Sequence, residues 1–407
     1  MMPAPTKQIL ARREGGRAHF LVTGATGFLG AHVVGALLGR GHPVTVLVRE
    51  RADTPAAERI RHVLGWLGLE HRAHQLSIVV GDVAKQQFGL PGGKWETLAE
   101  SVDEVVHCAA STRFSEASRP ELERVNIGGT RNALALAARN AQVFHLVSTA
   151  FVVGCAEGVV DEAWREPSAF TNAYEQTKYH AEVAARHSAA TQGFSLCVYR
   201  PTIVVGHSET GRSLLFNALY YPIKTLLLLR DLYLHDLRRD GARARALGIQ
   251  ELSDGHILLP VRVETRPGAT LNLVPVDHFT RAFLALLDAH PGGGTFHIAT
   301  DEAIGVETLV EFTRRLYGIQ GIETVSAQSF AERPRSALEV LFENYTAVYR
   351  PYMRDLRRFA SPAAAPTLDA AGLRCPRFTF EVFQRLMHYA QSVDWGKRLF
   401  GSGPDQC

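Results

Sequence analysis

The chain contains no uninterrupted run of the ~20 apolar residues that a membrane-spanning helix needs. Its greasiest stretch, residues 214–229, is broken by Asn217, Pro222 and Lys224, so no transmembrane segment is expected there. Cysteine is scarce: five residues, Cys108, Cys155, Cys197, Cys375 and Cys407, are odd in number and widely scattered. They show neither CxxC nor Cys/His ligand spacing, which argues against a disulfide framework and a zinc site. Free thiols in a reducing compartment, and a cytoplasmic location, are the expectation. Charge of one sign is lacking too, with 44 Lys and Arg against 41 acids and a net charge of +3. That balance carries no nucleic-acid footprint, so any anion site has to be local. The first twenty residues are basic but have no apolar core followed by a small-residue cleavage site, and so do not read as a secretory signal. Residues 1–17 are expected to be a flexible tail. No repeat of solenoid period is present, and "ASPAAAP" is the one short biased tract.

What is present is a rhythm. From Ala18 onward short apolar runs alternate with helix-length amphipathic segments: "HFLVT" then residues 28–40, "PVTVLV" then 54–67, "LSIVV", "EVVHC" then "RNALALAARN", "VFHLVS", a helix through Tyr174, and "SLCVYR". Apolar strands alternating with helices predict an α/β fold: a Rossmann-type, doubly wound parallel sheet buried on both faces. After Gly206 the rhythm weakens. Residues 18–206 are therefore expected to form a dinucleotide-binding domain, and residues 207–400 a smaller, mostly helical substrate lobe partly interleaved with the sheet.

"VTGATGFLG" follows the first strand and opens a helix, with glycines at 24, 27 and 30. In that setting Gly24 permits a tight turn, Gly27 lets the backbone approach a pyrophosphate, and Gly30 allows close helix packing. The helix N-terminus then offers unpaired N–H groups to the phosphates. The second strand ends "VLVRE". An acid here would bind the adenosine ribose of NADH, whereas Arg49 can pair with a 2′-phosphate, which favours NADPH. Glu50 next door keeps NADH open, and a solvated strand end is the plain alternative for Arg49. "GDV" at residues 81–83 would bring Asp82 near the adenine.

"NAYEQTKYHAE" sets Tyr174 and Lys178 one helical turn apart, on one face of a helix. A lysine charge beside a tyrosine favours the phenolate, pulling the phenol down from its ordinary value of about 10 and making it a usable acid and base. Alone, such a pair is more often an exposed helix face. The context strengthens it, because "HLVSTAFVVG" ends the preceding strand with the hydroxyls of Ser148 and Thr149, placed to bind a carbonyl oxygen. Their plain alternative is a strand end that satisfies its own backbone.

In order along residues 18–280, "VTGATGFLG", "VLVRE" with Arg59 downstream, "GDVAKQQFGL", "VVHCAASTRF", "NIGGT", "HLVSTAFV", "YEQTK", "YRPTIVVG" and "LNLVPVDH" resemble an extended short-chain dehydrogenase/reductase. Within that superfamily the pattern is similar to the fatty acyl-CoA reductase (male-sterility) and thioester reductase branch. "YRPYMRDLRRF" and "SVDWGKRLF" resemble the C-terminal region of fatty acyl reductases more faintly. The resemblance implies Tyr174 as proton donor, Lys178 on the nicotinamide ribose, and Thr149 on the carbonyl. It implies a cofactor shell of Thr23, Gly24, Thr26, Gly27, Phe28, Leu29 and Gly30 from the turn, Arg49 and Arg59, Asp82 and Val83, Ala109 and Ala110, Asn126, Pro201 and Ile203, together with Tyr174 and Lys178. Asn126 is equally readable as a helix-surface residue and Pro201 as a strand breaker.

The implied reaction is NADPH-dependent reduction of an acyl thioester, on CoA or an acyl carrier protein, to aldehyde and onward to alcohol if a second hydride follows. No cysteine nucleophile and no metal are expected. Oxidation of a sterol-like, polyketide or sugar-nucleotide secondary alcohol uses the same residues, and a non-catalytic nucleotide-binding protein is the third class. Residues 207–255 depart from the family pattern, combining leucines with arginines. They are open as a wall for an acyl chain, a docking surface, a membrane-surface helix, or an ordinary lobe helix with a solvated face.

Overall fold

The computed structural model describes residues 17–399. The expected tail, apart from Arg17, and Cys407 lie outside the described residues. Seven strands form one parallel sheet: β1 (Phe20–Thr23), β2 (Val44–Val48), β3 (Leu76–Val80), β4 (Glu104–His107), β5 (Val143–Val147), β6 (Ser195–Pro201) and β7 (Gly294–Ile298), in the spatial order β7-β6-β5-β4-β1-β2-β3. Every residue of β1, β2, β4 and β5 is buried, as expected of a sheet covered on both faces. Chain order reverses between β1 and β4, and the crevice at that switch point is where such sheets bind ligands.

Helices α1 (Phe28–Gly39), α2 (Ala56–Leu67), α3 (Gly92–Ser101), α4 (Gly129–Asn140) and α5 (Ala173–Gln192) supply the two layers. Helix α5 is fixed to the sheet by a buried ion pair: Glu182 accepts from Arg200 Nε at 2.9 Å and Nη2 at 2.6 Å. Because both groups are almost fully buried, loss of one partner would strand the other charge.

The chain then leaves the sheet and comes back. Helix α6 (Tyr220–Leu237) belongs to the lobe, but α7 (Val276–Ala289) packs on α1, burying Phe279, Phe283 and Leu286 at i, i+4, i+7 spacing. Full burial of each such side chain is worth roughly 1.5–3 kcal/mol. Strand β7 follows α7 and pairs with β6. Thr295, Phe296 and Ile298 are good strand formers, but five residues that begin at a glycine do not by themselves announce a place in the main sheet.

The lobe has its own core. Strand Ile257–Glu264 pairs with Ile319–Val325 and Gln250–Glu251, and helices α6, α8 (Val306–Tyr317) and α9 (Ala337–Thr346) pack around these strands. A second buried pair, Arg262 Nε to Glu339 Oε1 at 2.6 Å, joins that central strand to α9. Helix α10 (Phe380–Ser392) closes the far side against α8. Among the described residues no helix is long and apolar enough to cross a membrane.

Candidate active site

The glycine-rich turn joins β1 to α1. Gly24 has φ +76°, and a Cβ there would lie 2.6 Å from the Ala109 nitrogen, so the turn passes under the end of β4 only without a side chain. At Gly30 a Cβ would fall 2.1 Å from the Gly24 carbonyl oxygen, so the helix is packed onto the turn itself. Gly27 caps α1 with no side-chain hydrogen bond, leaving the first-turn N–H groups available.

Around this turn the expected shell separates into lining and supporting residues. Gly24, Gly27, Phe28, Leu29, Gly30, Ala110, Pro201 and Ile203 line one cavity of about 390 Å³ together with Thr149, Tyr174 and Lys178. Thr23 does not line it. Its hydroxyl meets His107 Nδ1 at 2.8 Å and accepts from the Ala109 N–H, while His107 Nε2 meets Thr130 at 3.1 Å. Burial, with the Lys178 charge adding, pushes His107 down to about 3, so it ties β1 to β4 as a neutral bridge.

Arg59 donates to Thr26 Oγ1 at 2.7 Å and to the Arg49 carbonyl at 2.9 Å. Burial, then the nearby Arg51 and Arg49, lower its affinity for its proton, with Asp53 and Glu50 acting the other way, so three guanidinium groups stand beside the turn together with two acids. Asp82, half-buried, accepts from the Ala84 N–H at 3.0 Å and lies 3.9 Å from Arg124. Val83 packs against Gly129, and its carbonyl accepts from Asn132.

Asn126 is a buried residue in a π-helical turn, Glu123–Gly128, and not a surface one. Its amide binds both backbone groups of Ser111 and donates to Thr177 Oγ1 at 3.0 Å. The loop after β4 is thereby tied to α5, the helix that carries the tyrosine.

On α5, Lys178 donates to the Val147 carbonyl at 2.8 Å. Burial lowers its pKa to about 8, against the opposing charge of Glu182. Burial first, and Glu175 second, hold the Tyr174 phenol well above the ordinary value, with the neighbouring Thr149 hydroxyl pulling the other way. This corrects the expectation of a lysine-depressed phenol: the ammonium is engaged with the sheet, and in low dielectric the neutral phenol is the favoured form. Tyr174 is therefore held protonated, as a donor must be. Thr149 also accepts from the Phe151 N–H and reaches the Pro201 carbonyl at 3.4 Å.

Ser148, its neighbour, is buried with an Oγ that has no partner among the described residues, and it lines the cavity. An orphaned hydroxyl, a Cβ-free cradle and a cluster of arginines all fit a dinucleotide. Cys108 also lines the cavity, but burial pushes its thiol up to about 12, which leaves it inert as a nucleophile.

Beyond Tyr174 the cavity extends into the core of the lobe, reaching Leu226, Val263, Val310, Ile322, Phe342 and Met353. Lys178 is the one charged side chain among its described lining residues. From the Leu/Arg segment, seven residues between Leu215 and Leu226 line the cavity, Leu219, Ile223 and Leu226 among them, whereas Leu228 and Leu232 on α6 are exposed and no arginine of the segment enters.

Several contributors carry no motif. Phe114 packs edge-on to Tyr174, with centroids 5.3 Å apart, and tilted to Tyr352 at 5.6 Å. Tyr349, Tyr352 and Met353 come from "YRPYMRDLRRF", whose faint family likeness was their only signal in the sequence.

Residues 22–283 match the family described as Male sterility protein. The chain is 31% identical over 219 residues to the L-2-aminoadipate reductase large subunit of Eremothecium gossypii, an alignment covering 48% of this chain and 16% of that protein. Among the first curated relatives the chain spans from 4% to 20% of their length. The terminal R domain from the myxalamid PKS-NRPS biosynthetic pathway superposes with a TM-score of 0.74 at 22% identity, covering 94% of this chain and 92% of that one. A thiolation-reductase di-domain from an archaeal non-ribosomal peptide synthetase gives 0.68 at 18% identity, covering 97% and 82%. At these identities the structures speak for the fold, and the family match covers more than half of the chain. The chain belongs to the male sterility protein family, in the thioester reductase-like branch of the extended short-chain dehydrogenases/reductases, and its fold and family are those of an NAD(P)-dependent oxidoreductase.

Proposed function

We propose that the protein reduces an acyl thioester with NADPH, and that the acyl group carries an apolar, uncharged tail of the fatty type. The observation that carries this reading is that Thr149, Tyr174 and Lys178 line one cavity that opens onto a chamber whose one charged lining residue is Lys178. An aminoadipate-like chain would bring both a carboxylate and an ammonium, against which the lining offers one charged group, Lys178, and a buried unpaired charge is costly. Burial of apolar chain returns roughly 0.8 kcal/mol per methylene.

The nicotinamide, when bound, supplies the hydride for the thioester carbonyl carbon. Thr149 and Tyr174 hydrogen-bond the carbonyl oxygen as charge grows on it, and a preorganised donor of this kind is worth about 10²–10³ in rate. Tyr174 then gives that oxygen its proton. The resulting hemithioacetal loses thiol as the C–S bond breaks and the carbonyl re-forms. In sum, thioester, NADPH and one proton become aldehyde, thiol and NADP⁺. Lys178 binds the ribose and keeps positive charge beside the site. Arg49 and Arg59 take the 2′-phosphate; Thr26, held by Arg59, Asp82, Val83, Ala109 and Asn126 shape the pocket around the nucleotide. The leaving group arrives with the substrate, which is consistent with the inert Cys108 thiol. The thiolation-reductase likeness supports a carrier protein as the thiol bearer, with CoA as the other source.

The test is NADPH oxidation with free-thiol release, first on acyl-CoAs of increasing length and then on acyl carrier proteins. Thiol, aldehyde and NADP⁺ in equal amounts are expected, and any alcohol would report a second hydride. Turnover of a secondary alcohol or ketone with no thioester activity would overturn the reading in favour of a dehydrogenase or epimerase on the same scaffold.

A further inference from the structure

The helix turn that carries Tyr174 is gripped from outside the family-matched stretch. Asn172 caps α5, its Oδ1 accepting from the Glu175 N–H at 3.0 Å. Its Nδ2 donates to the Tyr352 hydroxyl at 2.8 Å. That hydroxyl in turn donates to Glu175 Oε1 at 3.0 Å, and Glu175 Oε2 accepts from the Thr171 N–H at 3.0 Å. Asn172, Tyr352 and Glu175 thus form a closed ring of hydrogen bonds around the first turn of the helix. Its inner side is shielded: Glu175 is fully buried and Tyr352 is 6% exposed, while Asn172 is half-buried.

The ring is braced from the same C-terminal segment. Arg357 stands 3.8 Å from Glu175, pairs with Asp355 at 2.7 Å, donates to the Gly154 carbonyl at 2.7 Å and lies over the Phe151 ring. The Tyr352 ring meets Phe151 edge-on at 5.2 Å, and Phe114 bridges it to Tyr174. A carboxylate buried next to the catalytic tyrosine is an expensive arrangement for a capped helix that Asn172 alone would start.

We propose that Tyr352 is a positioning residue for Tyr174: through Asn172 and Glu175 it locks the first turn of α5 so that the Tyr174 hydroxyl is held on Thr149, in line with the substrate carbonyl. The proposal rests on Tyr174 acting as the proton donor. A small loss of alignment at a proton donor is enough to cost up to about a hundredfold in turnover.

Two variants break the ring without removing the cap or the ring stack. Tyr352→Phe deletes the shared hydroxyl, and Asn172→Ser keeps a capping oxygen while losing the amide donor. Each is expected to lower kcat about ten- to hundredfold, to leave the dissociation constant for NADPH within about twofold, and to speed amide hydrogen exchange at Glu175 and Gln176 at least tenfold relative to the C-terminal half of α5. Unchanged exchange at that turn in both folded variants would overturn the proposal, whatever the substrate proves to be. So would a kcat within twofold of the parent, or a loss of NADPH binding that parallels the loss of kcat. Failure of the thioester reading is distinguishable, because it shows in the parent protein as the absence of thiol release while the exchange measurement still reports on the lock.

Discussion

Lys178 Nζ lies 2.8 Å from the Val147 carbonyl oxygen, so the buried ammonium at the centre of the site is anchored to the end of β5 and not to the tyrosine one turn away. Burial brings its pKa from 10.5 to about 8. The charge is present below that pH and is lost above it. NADPH affinity is expected to fall as pH rises through about 8, and titration calorimetry across pH 6.5–9.5 would follow it. In Lys178→Met the inflection is expected to vanish and binding to be weak throughout. The fold moves the opposite way: between about 8 and 10.5 the unfolded chain holds a proton that the folded one has released, so Lys178 contributes a gain in stability as pH rises through that window.

The guanidinium cluster by the turn predicts cofactor choice. Arg49→Ala removes a charged partner for a 2′-phosphate, a hydrogen bond of about 1.5–3 kcal/mol. NADPH binding is expected to weaken at least tenfold and NADH binding to stay within about twofold. Equal loss for both nucleotides would take the 2′-phosphate away from this cluster. Arg59→Ala is expected to impair both nucleotides, because it also frees Thr26 in the turn.

The chamber predicts chain-length selection. Val310→Trp on α8 would fill space in the lobe core that the cavity reaches. Turnover of long acyl thioesters is expected to fall more than tenfold, with the shortest acyl substrates changed less than threefold. A uniform loss across the series would mean that the tail lies elsewhere.

Gly24→Ala is expected to be severely destabilising. A left-handed backbone costs a non-glycine residue roughly 1–2 kcal/mol, and the new methyl group would press on the Ala109 backbone at 2.6 Å. Denaturant unfolding should show a drop of at least 2 kcal/mol, and Gly27→Ala, which meets only the Gly24 carbonyl at 3.2 Å, a smaller one.

Much of this was legible because local chemistry and global fold agree in the first half of the chain. Valine-rich runs between amphipathic helices announce a parallel sheet, and the glycine spacing announces the turn, since no other residue tolerates the Gly24 geometry. Tyr174 and Lys178 stand out by their spacing, and Ser148 and Thr149 by their place at a strand end; the structure brings all four to one cavity. What the sequence hides is anything made by distant segments meeting. The state of Tyr174 depends on burial and on Glu175, which no spacing rule reveals, and so its pKa moves opposite to the simple lysine argument. Tyr352 lies 177 residues from its partner Glu175. Thr23 matches a cofactor motif, yet its hydroxyl faces His107 inside the sheet. Strand β7 has strand formers in Thr295, Phe296 and Ile298, but its place beside β6 is set by a segment about a hundred residues away.

The return of α7 and β7 to the sheet has a consequence for how the protein can be divided. A chain cut after residue 206 would carry every cofactor motif and still lack the helix that covers α1 and the strand that pairs β6. It would uncover the face of α1 on which α7 packs, and leave β6, a seven-residue strand buried over most of its length, as an open edge. The glycine-rich turn and the chamber in the lobe are thus not two modules that could be exchanged between relatives by joining at the end of the motifs. They share one folding unit, and a functional graft would have to take the lobe as an insertion with both of its ends.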